Sequence, residues 1–127
     1  MNYKPIIIVA GEPNSVFFEI FFKVIKKKIK SPIILIASKK LILKQSKILG
    51  KKINLNTISE SEILEKVNDL KKINLIDVKF EQKKAFNKIT TKSNNYITTC
   101  FDVALKLLRY GVSDKLINGP ISKNTFL

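Results

Sequence analysis

The run Pro5–Ala10 reads Pro-Ile-Ile-Ile-Val-Ala, with no polar residue on either side of a strand's two-residue alternation. A strand of that kind must be covered on both faces, which points to a parallel sheet lying between helices. Pro32–Ala37, Pro-Ile-Ile-Leu-Ile-Ala, repeats the pattern. Between the two, Gly11-Glu12-Pro13-Asn14-Ser15 breaks the chain and a helical period follows. Val16, Ile20, Phe21, Val24 and Ile25 fall near one face, with Glu19 early and lysines late, the charge order that suits the helix dipole, and the cluster Phe17, Phe18, Phe21 and Phe22 reads as core, in part as an interface.

The alternation continues. Ser38 is placed to cap a helix over Lys39–Leu49 that stops at Gly50. Ile53–Thr57 reads as a short third strand. Ser59 and Glu62 have capping-box spacing and open a helix through Leu70 with Ile63, Leu64 and Val67 inward. Ile73–Val78 is a fourth strand. Lys79–Lys92 has no period and reads as a loop able to close over something. Ser93 is placed to cap the longest helix, Asn94–Tyr110, with Ile97, Phe101, Ala104, Leu105 and Leu108 as its apolar stripe and Gly111 as its stop. Lys115–Asn118 is a last strand before Gly119-Pro120. Strands separated by helices predict α/β architecture: a mainly parallel sheet flanked by helices, in one domain. The chain stops at Leu127 a few residues into what reads as a new helix, so the natural protein is expected to continue.

Composition narrows the function. Twenty-four basic residues against 10 acidic give a net charge of +14, which raises nucleic acid as a partner. Only Arg109 among the 24 is arginine, however, and base readout favours the guanidinium fork. The lysines come with 20 isoleucines and 11 asparagines, the set that A/T-rich codons produce. The densest cluster, Lys23, Lys26, Lys27, Lys28 and Lys30, falls at a helix end, where cations meet the dipole favourably. A lysine-rich nucleic-acid-binding module therefore stands as an alternative from another class, not as the leading reading. No apolar run is long enough for a membrane span or a signal sequence, so no membrane is expected and a cytoplasmic location is. With no histidine and only Cys100, the commonest metal ligand and base are missing, and Cys100 reads as a small packed side chain.

Two turns are placed to carry chemistry, because parallel sheets bind ligands at the carboxyl ends of their strands. Gly11–Ser15 follows the first strand and Gly119-Pro120-Ile121-Ser122-Lys123 the last. Glycine permits close backbone approach and proline fixes the turn. Glu12 has the chemistry to hold a cation or orient a hydroxyl, and Lys123 to meet a phosphate or carboxylate. Neither turn is a P-loop or a dinucleotide fingerprint, so by themselves both also read as plain chain reversals.

At these residues the sequence resembles the PdxA family, the 4-hydroxythreonine-4-phosphate dehydrogenases of pyridoxal-phosphate biosynthesis and their relatives. Gly11-Glu12-Pro13 matches the family's strand-Gly-Asp/Glu-Pro start. Asn94 and Tyr96 match the opening of a family helix, and Gly119-Pro120-Ile121-Ser122-Lys123 matches its strand-ending Gly-Pro-Ile/Val-x-Lys. Two departures stand out: Asn14-Ser15-Val16-Phe17 replaces Ala-Gly-Ile-Gly, and Ser122 stands where relatives often have His or Asn. The resemblance implies the N-terminal part of an isocitrate/isopropylmalate-dehydrogenase-like fold. It also implies NAD, a divalent metal ion, a small phosphorylated hydroxy-amino-acid substrate and a homodimer. It places the metal ligands and most NAD contacts beyond residue 127, so no catalytic or metal residue is expected within 1–127, and these residues alone are expected to be inactive. Glu12 and Lys123 remain as substrate-binding candidates. A relative acting on another hydroxy acid is the nearer alternative, since the changes after Pro13 alter the loop.

Overall fold

The computed structural model describes residues 4–27 and 29–121. Five strands form one sheet in the order β3-β4-β2-β1-β5, every pairing parallel: β1 Ile6–Val9, β2 Ile33–Ala37, β3 Asn56–Thr57, β4 Ile73–Asp77 and β5 Leu116–Asn118. The helices are α1 Phe17–Val24, α2 Lys39–Ile48, α3 Glu60–Glu65 and α4 Asn94–Arg109. The expected α/β class is what the chain adopts. Lys28 and residues 122–127 lie outside the described residues, and with them the expected start of a further helix near Phe126 and Leu127.

Both faces of the sheet are covered, as the polar-free strands require. On one face Phe18, Phe21, Phe22 and Ile42 of α1 and α2 pack on Ile33, Leu35, Ile73 and Leu75. On the other, Ile63 of α3 and Ile97, Cys100, Ala104 and Leu107 of α4 pack on Ile7, Val9, Ile34, Ile36 and Ile76. At roughly 2–3 kcal/mol for each large apolar side chain taken from water, these two layers dominate the stability. Asn74, fully buried in β4, is the one polar residue deep in the sheet. Its amide donates to the carbonyls of Ile33 (3.0 Å) and Lys71 (2.7 Å), and its oxygen accepts from the Asn56 side chain (3.1 Å) and the Lys71 N–H (3.1 Å), tying β3, β4 and β2 together.

Several expectations need correction. The inward face of α1 is Phe18, Phe21 and Phe22, whereas Val16 and Ile20 are 56% and 53% exposed and Val24 is also exposed. Two apolar stripes overlap on this helix, and the one with three phenylalanines removes more area from water. Of the expected inward positions, Leu64 and Leu105 are exposed, while Tyr96, Cys100 and Leu107 are buried on α4. Helix α3 ends at Glu65 rather than Leu70, where Val67, Asn68 and Asp69 are weak helix formers. The third strand keeps only Asn56–Thr57. The caps at Ser38 and Ser59 form as expected, the second with its full capping box. Ser93 does not cap α4. The helix is entered through a 3-10 turn, Thr91–Ser93, whose own cap is Thr90, and the Ser93 hydroxyl is committed elsewhere.

Candidate functional site

β1 and β5 are neighbours, so the turns that follow them meet at the carboxyl rim of the sheet. The Glu12 N–H donates to the Pro120 carbonyl at 2.7 Å, and the Gly119 N–H donates to the Val9 carbonyl at 2.7 Å. Gly11 has φ +78°, and a Cβ there would stand 2.5 Å from the Pro120 oxygen. The approach of the two turns therefore requires glycine. At Gly119 a Cβ would collide with the Ala10 carbonyl.

The Glu12 side chain turns inward and is 2% exposed. Its Oε1 accepts from the Asn14 N–H (3.2 Å) and its Oε2 from the Ser93 hydroxyl (2.9 Å). A carboxylate so buried is retained only with donors on it. Glu12 thereby joins the first turn to the entry of α4. Lys123, the other candidate, lies outside the described residues, but the turn leading to it, Gly119-Pro120, sits directly against Gly11-Glu12.

The loop after β4 is held over this rim as a strap. Asn14 and Gln82 exchange side-chain amide hydrogen bonds at 2.8 and 3.0 Å, and the Asn14 oxygen also accepts from the Asn87 N–H at 2.9 Å. From α2, the buried Gln45 amide donates to the carbonyls of Pro13 (2.9 Å) and Ala85 (2.8 Å), bridging turn and strap. Under the strap lies a cleft of about 930 Å³ that reaches from Asn14 to Ser93, Tyr96 and Thr99. Sequence reasoning placed Asn14 only as a departure from a pattern and did not single out Gln45 or Gln82. An asparagine after the proline of a strand-ending turn, followed far along the chain by Gln and Asn in an aperiodic loop, is the one signal that was present.

Tyr96 closes the base of the crevice between β2 and β4. Its hydroxyl accepts from the Ser38 N–H at 2.8 Å, and its ring lies 5.0 Å from that of Phe80. Burial pushes the Tyr96 hydroxyl well above its ordinary pKa. The same cause pushes the Cys100 thiol up to about 12, with the Tyr96 hydrogen bond opposing the rise. Cys100 is a packed thiol, as its helical position suggested. The Tyr96 hydrogen bond ties the first turn of α4 to the residue that follows β2.

Among the described residues no three Asp, Glu or Cys side chains come together as a metal-binding group. The described residues do not make a metal site. The turns also lack the run of glycines that cradles a dinucleotide's phosphates.

A doubly wound parallel sheet with two apposed glycine-proline turns at its carboxyl rim defines an open-sheet α/β protein, a class in which ligands bind outside the carboxyl ends of the strands. The chain belongs to the PdxA family: the family model of the pyridoxal phosphate biosynthetic protein PdxA matches residues 28–127. Its fold is similar to that of a 4-hydroxythreonine-4-phosphate dehydrogenase from Burkholderia phymatum (TM-score 0.79, 18% identity, 98% of this chain and 38% of that one). It is equally similar to the enzyme of that name from Klebsiella pneumoniae (TM-score 0.79, 17% identity, 97% of this chain and 39% of that one). The chain thus spans well under half the length of these solved structures. No curated protein sequence matches it at a significant level.

Proposed function

We propose that residues 1–127 form the N-terminal part of an NAD- and metal-dependent dehydrogenase of 4-hydroxythreonine 4-phosphate. In this reading the enzyme is a cytoplasmic homodimer that oxidises the alcohol, after which the product loses CO₂, on the way to pyridoxal phosphate. The observation that carries the reading is the meeting of Gly11-Glu12 with Gly119-Pro120 at one rim, in the fold and family just described. Oxidising an alcohol needs a base and an electrophile on its oxygen, and decarboxylation needs an electron sink. No group of three Cys, Asp or Glu among the described residues is placed to hold a metal ion, and the reading assigns the metal and the groups around it to the further sequence that solved dehydrogenases of this fold possess. This chain's share is positional: the buried Glu12 fixes the rim, and Lys123 is assigned the substrate's phosphate or carboxylate.

The test is NADH formation from 4-hydroxythreonine 4-phosphate by full-length protein, beside residues 1–127 alone. Turnover by the former and none by the latter is expected. A relative specific for another hydroxy acid is favoured by one observation, the Asn14 side chain holding the strap where the family pattern has alanine. A panel of phosphorylated and unphosphorylated hydroxy acids separates the two readings.

A further inference from the structure

The strap cleft has a composition that the rim does not share. β2 and β4 are adjacent strands, yet the helix after β2 packs on one face of the sheet and the helix after β4 on the other. Connections that leave in opposite directions open a crevice at the carboxyl ends of such strands, the usual ligand position in open α/β sheets. The cleft lies there, bounded by Val78 and Tyr96 and roofed by the strap. At about 930 Å³ it falls within the range of small-molecule sites, roughly 300–1,000 Å³.

Five lysines line it: Lys79, Lys83, Lys84, Lys88 and Lys92. The single acid of the lining, Glu81, lies 3.5 Å from Lys40 on α2. None of the five ammonium groups has a carboxylate partner among the described residues. Like charges gathered around one concavity repel, and an anion between them reverses the sign of the interaction. Thr90 and Thr99 add neutral hydroxyl donors, and the Phe80–Tyr96 ring pair supplies an apolar wall. Flexible point cations with hydroxyls suit a multiply charged phosphate, whereas a lone carboxylate calls for fewer.

We propose that the strap cleft binds a small phosphate-bearing anion through these lysines. The proposal does not rest on the dehydrogenase reading: the phosphate can be that of the substrate or that of a separate effector. Calorimetric titration of the full-length protein with pyrophosphate tests it, using Lys84→Gln/Lys88→Gln against a control, Lys23→Gln/Lys27→Gln, that removes the same charge from α1's end. Binding weakened about tenfold or more in the strap variant and less than about threefold in the control is expected. Equal losses in both, which would mean generic attraction to a chain of charge +14, or no binding at millimolar pyrophosphate, would overturn it. In the enzyme assay, pyrophosphate inhibition competitive with substrate assigns the cleft to the substrate's phosphate, and non-competitive inhibition assigns it to an effector.

Discussion

The Ser93 hydroxyl donates to Oε2 of Glu12 across 2.9 Å, joining residues 81 positions apart in sequence. Both groups are buried, so the bond forms where water cannot substitute for either partner. Ser93→Ala is expected to cost about 1.5–3 kcal/mol, the range for a hydrogen bond to a charged group, read as a lowered urea midpoint at unchanged m-value. Glu12→Ala should cost at least as much, because it removes the acceptor of both the Ser93 hydroxyl and the Asn14 N–H and leaves the Ser93 hydroxyl only the Thr90 carbonyl.

Asn14 and the strap form a separable unit. Asn14→Ala removes the Gln82 exchange and the Asn87 contact while leaving the two apolar layers untouched. Trypsin should then cut after Lys83, Lys84 and Lys88 roughly five to ten times faster, with a shift in the global unfolding midpoint worth under about 1 kcal/mol. An unchanged cleavage rate would show that the contacts from α2, by Gln45, Lys44 and Lys40, suffice to hold the strap.

Cys100 and Tyr96 set an alkaline limit. Unfolding returns the thiol from about 12 to its ordinary 9.0, so the unfolded chain releases its proton first as pH rises. The contribution of the buried thiol is complete below pH 9 and is lost progressively as the pH climbs towards 12. Tyr96 adds a loss of the same sign beginning near pH 10. Denaturant midpoints measured across this window should fall, and should fall less in Cys100→Ala. At neutral pH a thiol reagent should label Cys100 only in denaturant.

Asn74 is expected to be the least replaceable polar residue. Asn74→Leu should cost about 2–4 kcal/mol, because it removes the four side-chain hydrogen bonds by which a fully buried amide joins β3, β4 and β2. Thermal unfolding of the variant reads this directly.

Much of the fold was legible because it rests on local rules. Ile-rich runs without polar alternation gave buried parallel strands, and Ser38 and Ser59 gave helix starts with the expected cap bonds. What failed depended on neighbours. The phenylalanines of α1 are core, as their clustering suggested, but whether Val16, Ile20 and Val24 are covered as well is decided by the sheet beneath, and a helical period alone admits it. Ser93 has the local look of a cap, yet its hydroxyl serves Glu12, a partner no spacing rule reaches. The site was legible to the same depth: the two turns could be located from glycine, proline and strand ends, whereas the Asn14–Gln82–Gln45 clasp exists only after the chain is folded.

β1 pairs on one side with β2, close in sequence, and on the other with β5, where Ile7 stands opposite Leu116. During synthesis, therefore, one flank of this isoleucine-rich strand stays vacant until Leu116–Asn118 has left the ribosome, more than 100 residues after β1. An open, apolar flank of that kind invites pairing with other nascent chains. Yield of this protein should accordingly respond to slower translation and to chaperones that mask exposed β-edges.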